Sequence, residues 1–261
     1  MPLGAQGKPQ DERPPQGAGD KGGTWRCEVH GLDLPIRAWG FAGLGGTYRE
    51  DCPECAREAQ EQGRALASEA EARERERGRL QARVHSGIPQ RYWNATLNPE
   101  TPADVLAEIE PFVEHPATMR TGFIFLGAPG TGKTYTACAV LGEFLDRGRT
   151  ATYMTARGAL RRIKAAWRSE SGETEGDVAA WFASLDLLVI DEMGVDLGSP
   201  FEVSHLTDII NARYAEEMPA ILIGNLTPEE FAQTYGDRMV DRFREDGRVV
   251  VFTGPSRRGQ P

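Results

Sequence analysis

A chain of 261 residues, 39% of them hydrophobic, is long enough for one or two domains with a sizeable core. Its formal charge of -9 argues against a protein that simply coats duplex DNA with a basic surface, although local basic segments remain. No apolar run approaches the length of a membrane span, and the Pro/Gly-rich opening lacks the apolar centre of a signal peptide, so a soluble cytoplasmic protein is expected.

Residues 1–23 mix Pro, Gly and charge with almost nothing to bury, and are expected to be a disordered tail. Next come Cys27-Glu-Val-His30 and Cys52-Pro-Glu-Cys55, two short chelating pairs about 20 residues apart. Each pair on a tight turn would close a tetrahedral Cys₃His zinc site, with Gly45 and Gly46 suited to the turn of a hairpin between them. So small a module buries too little to fold without the ion, so zinc would be its core. Two unrelated turns with free thiols are the alternative. Cys138 is expected to be a plain buried residue, and His85 and His115, with no partner at ligand spacing, structural.

From Ala56 to about Arg83 the chain is Ala, Glu and Arg, with Glu69/Arg73 and Glu71/Arg75 four apart. That pattern predicts a solvated helix, weakened at Gly63 and Gly78 and too poor in apolar positions for a long coiled coil. Folded structure reopens at Ser86–Leu97, SGIPQRYWNATL, expected to pack on the flank of the core near a nucleotide. Thr101 to about Glu114 predicts a helix, with Pro102 near its start and Val105, Ile109 and Phe112 at helical spacing.

Phe123–Leu126 is an apolar strand, followed by Gly127–Thr134, GAPGTGKT, and then a helix. A triphosphate must be wrapped by backbone N–H groups, and Gly127, Gly130 and Gly132 permit that approach. Lys133 reaches the β and γ phosphates, and the Thr134 hydroxyl takes a place in a Mg²⁺ shell. Thr150–Thr155 then predicts a strand. Ala156 to about Arg168 predicts a helix carrying Arg157, Arg161, Arg162, Lys164 and Arg168, the best candidate for touching a nucleic-acid backbone and otherwise a solvated face. Gly172–Asp177 reads as an acidic loop and Val178–Ser184 as a short helix.

Leu185–Ile190 is nearly all apolar, as in a buried parallel strand, and Asp191 and Glu192 close its C-terminal end, where ligands of open α/β sheets collect. Asp191 is placed to hold Mg²⁺ through water and Glu192 to orient or deprotonate the attacking water. Phe201 to about Glu217 predicts an amphipathic helix, and Pro219–Gly224 a buried strand ending at Asn225. Asn225 either positions water near the γ-phosphate or caps the helix that starts at Thr227. Arg238 and Arg242 share a helical face, as arginine fingers for a neighbouring subunit or as partners of Asp237, Asp241 or Glu245. Arg248–Thr253 is a last strand.

The ordered set GAPGTGKT, LLVIDEMG, IGNL and GDRMVDRFRE, preceded by SGIPQRYWNATL and followed by PSRR, resembles the DnaC/DnaI/IstB group of AAA+ ATPases over roughly residues 86–258. The resemblance implies an α/β fold: an AAA+ P-loop NTPase αβα sandwich with a parallel sheet, preceded here by the small zinc-binding module. It implies subunits assembled side by side as a homo-oligomer, with ATP at the junctions. Nucleotide binding then falls to Gly127, Ala128, Pro129, Gly130, Thr131, Gly132, Lys133, Thr134 and Tyr135, with Asp191 and Glu192 as Walker B. Asn225 corresponds to sensor 1, Arg242 to the arginine finger with Arg238 beside it, and Arg258, or Arg257 next to it, to the sensor-2 arginine. Where the family usually has Ser-Asn-Leu this chain has Gly224-Asn225-Leu226, and no full lid domain follows the last strand, as in the loader branch.

The organisation expected is a tail at 1–23, a zinc module at 24–56, a helical linker at 57–85 and the ATPase domain at 86–261. The zinc module ahead of the core is similar to that of some helicase loaders. The implied function is ATP-dependent loading of a DnaB-type replicative helicase onto single-stranded DNA, with no membrane partner. A transposition helper acting on duplex target DNA with a transposase is the alternative. Every catalytic position is filled, which argues against a relic ATPase serving only as an adaptor.

Overall fold

The computed structural model describes residues 23–41, 44–97, 101, 103–166, 172–194 and 199–257. All of the expected tail but Gly23 lies outside them, as do Pro102, Arg168 and Arg258. Two compact units divide between Glu74 and Arg75.

The first unit is an antiparallel sheet, β1 (Thr24–Arg26), β2 (Asp33–Phe41) and β3 (Leu44–Arg49), in that order, followed by the start of α1 (Pro53–His85). Pairing of β2 with β3 runs as far as Phe41 opposite Leu44. Gly45 and Gly46, expected at the hairpin turn, instead sit in β3 opposite Gly40 and Trp39. The helix α1 runs unbroken through Gly63 and Gly78. Two glycines cost about 1 kcal/mol each, a penalty set against the strong helix propensity of the surrounding Ala, Glu and Arg and ladder pairs such as Arg73–Glu69 at 3.7 Å. Leu66 stays 67% exposed, as expected of a solvated helix without a coiled-coil seam.

In the second unit the last turns of α1 lead through a short turn at Gln90–Tyr92 to α2 (Ala103–Glu114), β4 (Gly122–Gly127), α3 (Lys133–Asp146), β5 (Ala151–Thr155), α4 (Ala156–Ala166) and α5 (Glu175–Ser184). Then follow β6 (Leu187–Met193), α6 (Pro200–Ala215), β7 (Ala220–Gly224), α7 (Pro228–Tyr235), α8 (Asp237–Asp246) and β8 (Gly247–Phe252). The five strands form one parallel sheet in the order β5-β6-β7-β4-β8. The apolar runs of the central strands are nearly unbroken and successive side chains point to opposite faces, so both faces are buried. Phe123, Phe125, Leu187, Val189, Ile221 and Ile223 pack with α2 and α3 on one side. Ile124, Leu126, Leu188, Ile190 and Leu222 pack with α4 to α8 on the other. The stretch expected as an acidic loop up to Asp177 is partly helical: Thr174 caps α5 in a reciprocal capping box with Asp177, which turns those carboxylates toward the positive helix end.

Arg213, on the same face of α6 as Leu206, Ile209 and Ile210, is only 1% exposed. It donates to the carbonyls of Phe182, Leu185 at 2.8 Å and Pro219 at 2.6 Å, tying the end of α5 to the approaches of β6 and β7. Burial pulls its guanidinium down to about 9, still charged at neutral pH.

The carboxylate of Asp146, at the end of α3, takes bidentate bonds from Arg83 at 2.8 and 3.0 Å and from Arg79 at 3.1 and 2.7 Å. Partial burial alone would raise its pKa, but the two arginines override that and hold it down to about 2. A depressed carboxylate stabilises the fold above its ordinary value near 3.8 and loses that contribution as pH falls toward 2. Asp146→Asn should therefore cost about 1–2 kcal/mol at neutral pH, after allowing for solvent screening, and the gap to the parent should close in acid. Urea unfolding across that pH range checks it, and a gap that persists unchanged in acid would refute the assignment.

Candidate functional site

Strand β4 ends at Gly127 with φ 125°, where a Cβ would lie 2.3 Å from the Phe252 carbonyl oxygen. The glycine at this position is required by the neighbouring strand β8, not only by phosphate approach. The helix α3 starts at Lys133, so its N-terminal amides open on the loop. The Lys133 side chain is 5% exposed, and its Nζ donates to the carbonyls of Gly127 and Ala128, each at 2.7 Å. The next residue, Thr134, donates from Oγ1 to Asp191 Oδ2 at 2.8 Å, so the start of α3 and the tip of β6 meet there.

At the tip of β6 the pairing with β7 shifts register between Ile190 and Met193, and Glu192 takes a left-handed backbone at φ 60°. For a non-glycine residue that is an uncommon conformation, of the kind that bulges impose beside active sites. The shift leaves Asp191 buried and turns Glu192 outward into the cavity. The Glu192 amide donates to Asp191 Oδ1 at 2.7 Å. Asn225 follows β7 and lines the same cavity. The cap of α7 is Thr227, which exchanges bonds with Glu230, so the capping role open to Asn225 is taken by another residue.

These groups enclose a cavity of about 360 Å³. Gly130, Gly132, Lys133, Thr134 and Tyr135 form one wall, Asp191, Glu192 and Asn225 a second. The volume, a cation beside the N-terminal amides of a helix, and a threonine hydroxyl bonded to a buried carboxylate suit a nucleoside triphosphate with Mg²⁺, which takes hard oxygen donors. The remaining wall contains residues not singled out above: Arg91, Tyr92, Tyr153 and Ile223. The Arg91 guanidinium lies 4.6 Å from the Tyr92 ring, which meets Tyr135 edge-on at 6.4 Å. The concentration of aromatic residues in the Ser86–Leu97 stretch was the available signal for the first two.

Arg257 lines the cavity too, and its amide donates to the Gly130 carbonyl at 2.9 Å; Arg258 lies outside the described residues. Arg238 and Arg242 are not among the cavity's lining residues. Arg238 is exposed, and Arg242 bonds Asn211 Oδ1 with its guanidinium 4.5 Å from the Tyr214 ring. On the basic helix α4, Arg162 pairs with Glu173 at 3.0 Å and stacks on Trp181, while Lys164 reaches Glu202 at 3.2 Å. Those two charges are engaged within the fold.

In the first unit the ligand atoms of Cys27, His30, Cys52 and Cys55 all lie within 4.8 Å of one another. The spacings are 3.6 Å for Cys27 Sγ to Cys55 Sγ, and 3.9, 3.7 and 3.3 Å from His30 Nδ1 to Cys27, Cys52 and Cys55. Tetrahedral zinc–sulfur bonds of about 2.3 Å have edges close to these, so the donor set fits zinc. The first pair sits on a turn, but Cys55 lies in the first turn of α1 and not in a second knuckle. The Cys27 thiol is pulled down to about 6, first by the His30 backbone amide, whereas Cys55 is pushed up to about 12, first by the bond with Cys27. Crowded sulfurs resist sharing negative charge, and a divalent ion would relieve that. On the far side of the ring His30 Nε2 meets Glu58 Oε1 at 3.0 Å, a carboxylate placed to orient a metal-bound imidazole, and one that motif spacing did not reveal.

A five-stranded parallel sheet in this order, with a GKT loop at the end of one strand and an acidic pair two strands away, defines an AAA+ P-loop ATPase. The chain belongs to the IstB-like ATP binding protein family, which matches residues 106–260. It is 31% identical over 207 residues to the replicative helicase loader DnaC of Escherichia coli (strain K12), covering 77% of this chain and 84% of that one. Its fold is similar to the crystal structure of the DnaC helicase loader, with a TM-score of 0.54 and 22% identity over 63% of this chain and all of that one. It is also similar to DnaI, with a TM-score of 0.53 and 19% identity over 66% of this chain and 94% of that one.

Proposed function

We propose that the protein is a Mg²⁺-dependent ATPase that loads a DnaB-type replicative helicase onto single-stranded DNA in the bacterial cytoplasm. The observation that carries this reading is the 31% identity to a replicative helicase loader over most of both chains. None of the described helices is long and apolar enough to cross a membrane, which accords with it.

Lys133 and the amides at the start of α3 bind the phosphates, and Thr134 with Asp191 supplies the oxygens for the metal. Mg²⁺ bound there would offset phosphate charge. Glu192 turns a water toward the γ-phosphate and accepts its proton, while the Asn225 amide fixes that water. Arg257 takes the sensor-2 role from the wall beside Gly130, unless Arg258 reaches the site. Arg242, with Arg238 beside it, lies away from its own subunit's cavity and serves the neighbour's γ-phosphate in a homo-oligomer. The zinc module at 24–56, joined by a linker at 57–85 to the ATPase domain at 86–261, docks on the helicase, and hydrolysis releases the loader.

The IstB-like family match favours a second reading, a transposition helper acting on duplex DNA with a transposase. Co-purification decides. The full chain should retain the cognate replicative helicase and prefer single strands, and removal of residues 1–85 should abolish helicase capture. Capture of a transposase with cooperative duplex binding would replace the first reading by the second.

A further inference from the structure

We propose that Tyr153 is a positioning residue of the ATPase site: its phenol locks the Asp191 carboxylate in the orientation that receives the metal-bound nucleotide. The inference deepens the ATPase reading above and rests on it. Asp191 has two oxygens and three donors, each from a different element. Thr134 of α3 and Tyr153 of β5 both donate to Oδ2, at 2.8 and 2.9 Å, and the Glu192 amide of β6 donates to Oδ1 at 2.7 Å. An aspartate carboxyl turns easily about its last torsion, so its direction is set by what holds its oxygens. Of the two side-chain holds on Oδ2, Thr134 is the one expected to turn its lone pairs toward a metal. Tyr153 remains as the dedicated anchor.

The placement follows from sheet register. Thr155 pairs with Asp191 across the parallel strands, and Tyr153, two residues earlier, projects from the same face and reaches forward to the carboxylate. Burial pushes the phenol well above its ordinary range, so it stays a neutral donor. The backbone of the same residue holds the other wall of the cavity. The Tyr153 amide donates to Ser86 O at 2.7 Å, and Gly87, at φ 80°, lies so close that a Cβ would sit 2.4 Å from the Tyr153 carbonyl oxygen. Arg91 and Tyr92 follow a few residues on. Those backbone contacts survive in Tyr153→Phe, which removes the O–H alone.

The test is equilibrium binding of a fluorescent ATP analogue to the full chain, with excess Mg²⁺ and with EDTA, for the parent, Tyr153→Phe and Asp191→Asn. Tyr153→Phe should weaken Mg²⁺-supported binding about tenfold, the lower end for losing a partner that orients a metal-site carboxylate. Its metal-free binding should stay within about twofold of the parent, and its thermal midpoint without nucleotide should not move. Parent-like Mg²⁺-supported binding in Tyr153→Phe, with that binding lost in Asp191→Asn, overturns the proposal while leaving the ATPase reading intact. Equal weakening with and without Mg²⁺ overturns it as well, because the phenol would then be a general packing group. Parent-like binding by Asp191→Asn removes the reading of the site and the proposal with it.

Discussion

Glu192→Gln is expected to bind ATP within about twofold of the parent and to hydrolyse it roughly 10²–10⁴-fold more slowly, the range a general base contributes. The carboxylate projects into the cavity from a backbone that the β6 register shift holds left-handed, so the amide substitute keeps the shape and loses only the proton acceptor. Lys133→Ala should fail differently. Its ammonium is the buried charge of the loop, and without it nucleotide binding should weaken about a hundredfold or more. If Arg242 acts across the junction, Arg242→Ala and Lys133→Ala subunits, each nearly inactive alone, should regain part of the turnover when mixed. Filter binding and phosphate release separate these outcomes. Normal turnover by Glu192→Gln would remove the base assignment, and no recovery on mixing would remove the finger.

Stripping zinc should unfold the first unit and leave the second standing. Among the described residues of 23–74, the buried side chains are Cys27 and Cys52, both candidate ligands. A three-stranded sheet whose described side chains are otherwise exposed or half-buried has a small hydrophobic term to set against its conformational entropy. Binding of structural zinc is worth on the order of 10 kcal/mol in small domains, more than such a unit could replace. Purified protein should carry one zinc per chain by metal analysis. EDTA at elevated temperature, or Cys52→Ser, should open 33–49 to proteolysis while ATP binding changes by less than about twofold. A protease-resistant hairpin in the metal-free variant would refute the metal as its core.

The nucleotide loop, the acids at the end of β6 and the four candidate zinc ligands were legible as spacing. Each depends on chemistry held within a few neighbouring residues: a strand running into a glycine turn and a helix, an apolar run ending in carboxylates, ligands two residues apart. The near-continuous apolar runs Phe123–Leu126 and Leu185–Ile190 likewise foretold buried parallel strands, because successive side chains point to opposite faces and both faces are covered. Even Arg213 left a trace, at helical spacing from Ile209 and Ile210, though a charged residue there reads more readily as solvent-facing.

What stayed hidden was which residues from distant elements hold those groups in place. Tyr153 anchors Asp191 only because β5 pairs with β6 in one register, and Arg257 reaches the loop only because the chain after β8 crosses back to Gly130. Glu58 meets His30 only because α1 begins within the Cys₃His cluster. The amino-acid order alone therefore carried the P-loop ATPase class and pointed to the candidate groups, since local backbone geometry and side-chain chemistry suffice for those. Which residues orient those groups, and from which wall, was decided by packing across the sheet, because strand pairing and register are global solutions to burying both faces at once.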